Sequence, residues 1–192
     1  MAKLYFKYGT MNSGKSLEII KVAHNYREQD KDVIVFTPGI DDRYSKGTVY
    51  SRVGVKTKAI EIYDDTDIFE LTKQADNIHC VLVDEAQFLT KKNILDMTRI
   101  VDELHIPVMA FGLKNDFSNK LFEGSYYLLV YADKIEEIKT ICWYCDNKAT
   151  MNYRKDESTQ TIEIGGNESY IPVCRSCFKK LTQAKAKKNA LS

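Results

Sequence analysis

The sequence predicts an α/β protein: a parallel sheet flanked by helices, followed by a small C-terminal lobe held by cysteines. Three features lead there. Apolar strand-like runs alternate with helical patterns over roughly the first two-thirds of the chain. A Gly-rich loop joins the first strand to the first helix. Two CxxC pairs close the last third. Alternation of this kind gives a parallel sheet with helices on its faces.

Lys3–Tyr8 alternates apolar and basic residues and reads as the first strand. Lys15–Gln29, with Leu17, Ile19, Ile20, Val22 and Ala23, reads as a helix entered from the loop. Val33–Phe36 is a solid apolar run, the mark of a buried parallel strand, and Pro38-Gly39 ends it. Ile40–Gly54 is polar and reads as a loop. Val55–Ile62 suits a strand and Thr66–Ala75 a helix. Val81–Val83 is a short strand that ends at Asp84. Lys91–Leu104 carries helical apolar spacing, and Pro107–Phe111 is a further strand. The organisation changes near Cys142, so the divisions are 1–139 for the α/β domain, 140–180 for the lobe and 181–192 for a basic tail. The tail, with Lys179, Lys180, Lys185, Lys187 and Lys188, reads as a frayed helix end or disordered segment whose charges are solvated.

The chain has 192 residues, 44% apolar and 29% charged, which is the balance of a soluble globular protein and not of a disordered or fibrous one. Lys+Arg is 28 and Asp+Glu 27, so the net charge of +1 supplies no broad footprint for nucleic acid or membrane. No apolar run approaches the ~20 residues of a membrane span. Met1–Tyr8 lacks the h-region and cleavage site of a signal peptide. A cytoplasmic protein is therefore expected, in which five cysteines serve as metal ligands or buried thiols and not as disulfides. His24, His79 and His105 fall in no motif and read as structural or solvated.

The loop Gly9-Thr10-Met11-Asn12-Ser13-Gly14-Lys15-Ser16 fits G-x-x-x-x-G-K-[ST] at every fixed position, between a strand and a helix. Its glycines let backbone N–H groups curl around phosphates, and the helix N-terminus adds partial positive charge. Lys15 is placed to reach the β- and γ-phosphates, and the Ser16 hydroxyl to ligate Mg²⁺. A nucleoside triphosphate site follows.

Val81-Leu82-Val83 ends in Asp84-Glu85-Ala86-Gln87. In a phosphate-loop fold such a strand brings its last Asp to Mg²⁺, and a carboxylate one residue on is placed to accept a proton from an attacking hydroxyl or water. The bland alternative is an acid pair capping the helix near Lys91. The four residues also evoke a helicase box, which would make the chain a nucleic-acid-stimulated ATPase with a zinc ribbon. A helicase core needs two sheet domains, and this chain has length for one. A regulatory ATP-binding module without chemistry would not need Glu85.

Cys142-Trp143-Tyr144-Cys145 and Cys174-Arg175-Ser176-Cys177 are separated by 28 residues. Four thiolates from two such knuckles satisfy tetrahedral Zn²⁺ and leave no open position, so the site is structural. The separation exceeds that of a compact ribbon and implies a long excursion between the knuckles. Within it, Thr161-Ile162-Glu163-Ile164-Gly165-Gly166 and then Tyr170 suggest a hairpin or flap. Its backbone groups suit a small planar ligand, and equally an ordinary hairpin turn. Cys80 stands alone and reads as a buried core thiol.

Taken in order, these pieces resemble the type II thymidine kinases, from about Lys3 to Cys177. The resemblance rests on the loop Gly9–Ser16, Asp41-Asp42-Arg43-Tyr44-Ser45, Asp84-Glu85-Ala86-Gln87-Phe88, Gly112-Leu113-Lys114-Asn115-Asp116-Phe117, the two CxxC pairs, and Ile164-Gly165-Gly166 through Tyr170 to Arg175. It implies a RecA-like P-loop domain with a zinc lobe, transferring the γ-phosphoryl of ATP to the 5′-hydroxyl of thymidine. It makes Glu85 the base, puts Asp84, Ala86 and Gln87 with the nucleotide and Mg²⁺, and assigns Arg43 to charge on the transferring phosphoryl. Phe117 would stack on thymine. The Thr161–Gly165 backbone, in a loop anchored at both ends by zinc, would read the base edge beside Tyr170. It further implies a homotetramer inhibited by thymidine triphosphate.

Overall fold

A computed structural model describes residues 1–39, 47–155 and 169–189. Its centre is a six-stranded parallel sheet of β1 (Leu4–Tyr8), β2 (Asp32–Pro38), β5 (Ile60–Ile62), β6 (Ile78–Val83), β7 (Val108–Gly112) and β8 (Lys134–Glu137), in the order β5-β2-β6-β7-β1-β8. β1 lies between β7 and β8, in register Leu4↔Val108 to Tyr8↔Gly112. Both β1 and β6 therefore end at the same edge, where the chain turns into the site.

The period of two along each strand divides the core. Ile34, Phe36, Val81 and Val83 face one side, where α2 (Ile68–Gln74), α3 (Lys91–Glu103) and α4 (Glu123–Tyr131) supply Phe69, Ile94, Met97, Ile100 and Leu128. Val35, Cys80 and Leu82 face the other, against Ile19 and Ala23 of α1 (Lys15–Arg27). Cys80 is fully buried, as expected of a core thiol, and burial pushes its pKa up to about 12. The Thr90 and Asn93 side chains form a reciprocal capping box that starts α3. Among the described residues no helix is long and apolar enough to cross a membrane.

The expected elements appear, with four differences. The polar stretch read as a loop holds β3 (Thr48–Tyr50), which pairs antiparallel with β4 (Lys56–Lys58). The single strand expected over Val55–Ile62 is split accordingly, because β4 pairs with β3 while β5 joins the main sheet beside β2. Neither α4 nor β8 stood out in the sequence. Of the two readings of the tail, frayed helix or disordered segment, the described residues take the helix, and further than a frayed end: α5 runs from Arg175 to Asn189, with Lys179, Lys180 and Lys187 exposed.

The lobe follows the sheet. β9 (Met151–Arg154) and β10 (Tyr170–Val173) form a two-stranded antiparallel ladder from Tyr170↔Arg154 to Val173↔Met151. Its small core consists of Ile171 and Val173 with the cysteines, flanked by Met151, Tyr153, Phe178 and Leu181.

Candidate active site

The phosphate loop sits between β1 and α1. The Gly9 amide donates to Gly112 O at 3.2 Å and ties the loop to the end of β7. Gly14, at φ 88°, turns the chain into α1. Lys15 is 8% exposed and its Nζ donates to Thr10 O at 2.9 Å, so the cation is held inside the loop it serves. The Ser16 hydroxyl donates to Asp84 Oδ2 at 3.2 Å. The two groups expected to share Mg²⁺ are thus adjacent, 68 residues apart in sequence.

Asp84 is buried at the end of β6 and accepts from the Glu85 amide at 2.9 Å. Burial pushes its carboxyl up to about 7, and the charge of Glu85 pushes the same way. The amide of Glu85, the Lys15 ammonium and the Ser16 hydroxyl pull it down. The group is thus poorly satisfied as an anion and suited to a divalent cation.

Glu85 adopts φ 46°, ψ 38°, in the left-handed region that bulky residues seldom occupy. Such backbone persists only when its surroundings over-determine it, and it concentrates at functional positions. Gln87 supplies much of that determination. It is 2% exposed; its Nε2 donates to Glu85 Oε2 at 2.6 Å, and its Oε1 accepts from the Leu113 amide at 3.0 Å. It thereby spans from the carboxylate to the chain leaving β7. A Cβ on Gly112 would come within 2.7 Å of Gln87 Oε1, so only glycine admits this brace. Ala86 is fully buried, with its methyl in the core.

Asn12, Lys15, Ser16, Arg52, Glu85 and Trp143 line one cavity of about 580 Å³. Arg52, in the turn between β3 and β4, donates to the Asn12 side chain. Nothing in the sequence marked Arg52, since it lies in a stretch read as an undifferentiated loop.

The aromatic group is built separately. Asp116, buried, accepts at Oδ1 from the amides of Ser118 (2.8 Å) and Lys120 (2.9 Å), which fixes the turn carrying Phe117. Phe117 meets Tyr170 at 6.4 Å between ring centres, and the Arg154 guanidinium lies 4.9 Å from the first ring and 5.5 Å from the second. Arg43 and residues Thr161, Ile162, Glu163, Ile164 and Gly165 fall outside the described residues.

The four cysteine sulfurs lie within 4.8 Å of one another. Cys145 Sγ is 3.6 Å from Cys174 Sγ and 3.7 Å from Cys177 Sγ. A tetrahedral ion with Zn–S bonds of about 2.3 Å separates its sulfurs by about 3.8 Å, close to both of these distances, so the cluster suits zinc. N–H groups already aim at the sulfurs: Tyr144 at Cys142, Cys177 at Cys174, and the Asn147 side chain at Cys145, each at 3.4 Å. The amide of Cys177 draws the Cys174 thiol down to about 7, toward the thiolate a metal needs.

A family model described as thymidine kinase matches residues 2–178. The chain belongs to the thymidine kinase family. A thymidine kinase of Lactiplantibacillus plantarum is 60% identical over 181 residues, covering 91% of this chain and 94% of its own. One of Shouchella clausii is 59% identical over 186 residues (93% and 97%), and one of Lactococcus lactis is 58% identical over 186 residues (94% and 98%). The chain is therefore a kinase by family.

Proposed function

We propose that this chain transfers the γ-phosphoryl of ATP to the 5′-hydroxyl of thymidine, giving thymidine monophosphate for DNA-precursor salvage. The observation that carries the reading is the convergence of Lys15, Ser16 and the braced Glu85 on one cavity, with Asp84 accepting from the Ser16 hydroxyl, in a member of the thymidine kinase family.

Phosphoryl transfer is mostly positioning and charge stabilisation. The amides of Gly9–Ser16 cradle the triphosphate, and Lys15 exchanges its bond to Thr10 O for phosphate oxygens. Ser16 and Asp84 would hold Mg²⁺, which would supply neutralising charge for the transferring group. Glu85 accepts the 5′-hydroxyl proton, and Gln87 keeps its carboxylate in one orientation. Arg43 adds positive charge. Phe117 stacks on thymine with Tyr170 beside it, and the backbone of Thr161–Gly165 reads the base edge. A donor at N3 separates thymine and uracil from cytosine, because the wrong base leaves a buried amide unpaired. Structural Zn²⁺ on Cys142, Cys145, Cys174 and Cys177 would hold residues 140–180 as a lobe beside the domain of residues 1–139, with 181–192 as a basic end whose Leu181 packs on the lobe core.

The resemblance also supports a cytoplasmic homotetramer, acting without nucleic acid or membrane. Thymidine triphosphate, which carries both the base and the triphosphate, is its inhibitor.

Purified protein with ATP, Mg²⁺ and thymidine is expected to yield thymidine monophosphate by chromatography. Glu85→Gln, which keeps the shape of the brace, is expected to lower the rate at least about a hundredfold. ATP hydrolysis that rises with single-stranded nucleic acid, with no nucleotide product, would overturn the reading.

A further inference from the structure

We propose that Asn152 of the cysteine lobe is a positioning residue for the phosphate loop, so that the lobe sets the affinity for nucleotide as well as sheltering the nucleoside. The inference rests on the reading of residues 9–16 as the triphosphate site.

One peptide unit carries the argument. The Met11 N–H donates to Asn152 Oδ1 at 2.8 Å, across 141 residues of sequence. The carbonyl of that same peptide, Thr10 O, accepts from Lys15 Nζ at 2.9 Å and from the Ser13 amide at 3.3 Å. The Thr10–Met11 peptide is therefore held at both ends: by the lobe on its N–H and by the phosphate-binding cation on its C=O. Hydrogen bonding at the N–H polarises the carbonyl and strengthens what it accepts. The next residue, Asn12, has φ 62°, so the loop is already in a demanding conformation that a loose peptide would relax.

Asn152 is built for this. It is 5% exposed on β9, a strand fixed to the lobe by its ladder with β10 and by the adjacent bond from the Thr150 amide to Val173 O (3.0 Å). Two residues on, and so on the same face, Arg154 is 4% exposed and lies over the rings of Phe117 and Tyr170. One face of one strand thus touches the phosphate loop at one end and the aromatic pair at the other. A displacement of β9 moves both.

The test is Mg²⁺–ATP affinity by calorimetry, without thymidine, together with hydrogen exchange. Asn152→Leu keeps the volume and removes the acceptor. The expected result is a dissociation constant raised about tenfold, with faster exchange in peptides spanning residues 9–16 and unchanged exchange in α3. Should this variant fail to fold, Asn152→Ser, whose shorter side chain withdraws the acceptor, takes its place with the same expected result. Affinity within twofold of the wild type overturns the proposal. So does a loss of affinity with no change of exchange in the loop, or an increase spread equally into α3. Lys15→Ala is measured alongside; if it leaves ATP affinity intact, the reading of the loop fails and the inference falls with it, whereas a loss in Lys15→Ala beside intact affinity in the Asn152 variant overturns the role of Asn152 alone.

Discussion

β6 and β9 each deliver residues to the site, but they are held by different means. β6 runs through the middle of the parallel sheet, and its Cys80, Val81, Leu82 and Val83 are all fully buried between helices on both faces. Each such side chain contributes about 1.5–3 kcal/mol of burial. β9 has one partner strand, and its lobe core is little more than Ile171 and Val173 with the cysteines. The carboxylates therefore inherit their position from packing, while Asn152 and Arg154 inherit theirs from a thiol cluster. Metal binding is folding free energy in a unit of that kind. The end of β6 is held by the sheet, and β9 by a small unit that depends on its cysteines.

Three experiments break or sharpen this contrast. The largest effect is expected from Lys15→Ala. It removes the loop's buried cation and should lower phosphoryl transfer about a thousandfold, with the melting temperature moving by only about a few degrees. A large loss of stability would mean that the loop supports the domain and is not merely carried by it. Next, a strong zinc chelator should release the lobe and leave the sheet. Of the five cysteines, the four at Cys142, Cys145, Cys174 and Cys177 should then react with a thiol reagent, and Cys80 only after denaturant is added. Five thiols reacting together would show that the two regions unfold as one.

The smallest effect is electrostatic. Asp84 carries a carboxyl raised to about 7, above its ordinary 3.8. The folded chain thus holds a proton that the unfolded chain has released. Without Mg²⁺, stability should fall between about pH 4 and 7, by up to about 1.4 kcal/mol per pH unit. Denaturant titrations across that range should show the slope, and Asp84→Asn should flatten it. A wild-type profile without the slope would remove burial as the dominant influence on this group.

The phosphate loop, the acid pair and the knuckles were legible because each is a local pattern of residue types with a fixed spacing. What escaped was non-local or unpatterned. Helix α4 carries Tyr126, Tyr127, Leu128, Leu129, Val130 and Tyr131 in succession, which leaves no polar stripe from which a period could be read. Strand β8 is four residues, Lys-Ile-Glu-Glu, at the sheet edge, where charge is tolerated and alternation is weak. The hairpin of β3 and β4 hides in polar sequence. Gln87 stood among the expected site residues, but the brace it forms depends on a backbone amide 26 residues away. Asn152 and Arg154 are single residues in Met-Asn-Tyr-Arg, and nothing local shows which loop or ring pair they meet.

Gly124, in the first turn of α4, lies so close to the turn after Glu85 that a Cβ there would stand 2.2 Å from Ala86 O and 2.9 Å from Leu89 O. A single methyl on that helix would push on the segment that follows Glu85. In a genetic selection with a toxic nucleoside that this chain must phosphorylate, surviving cells should include changes at position 124. Such resistance would arise without touching any group that meets either substrate.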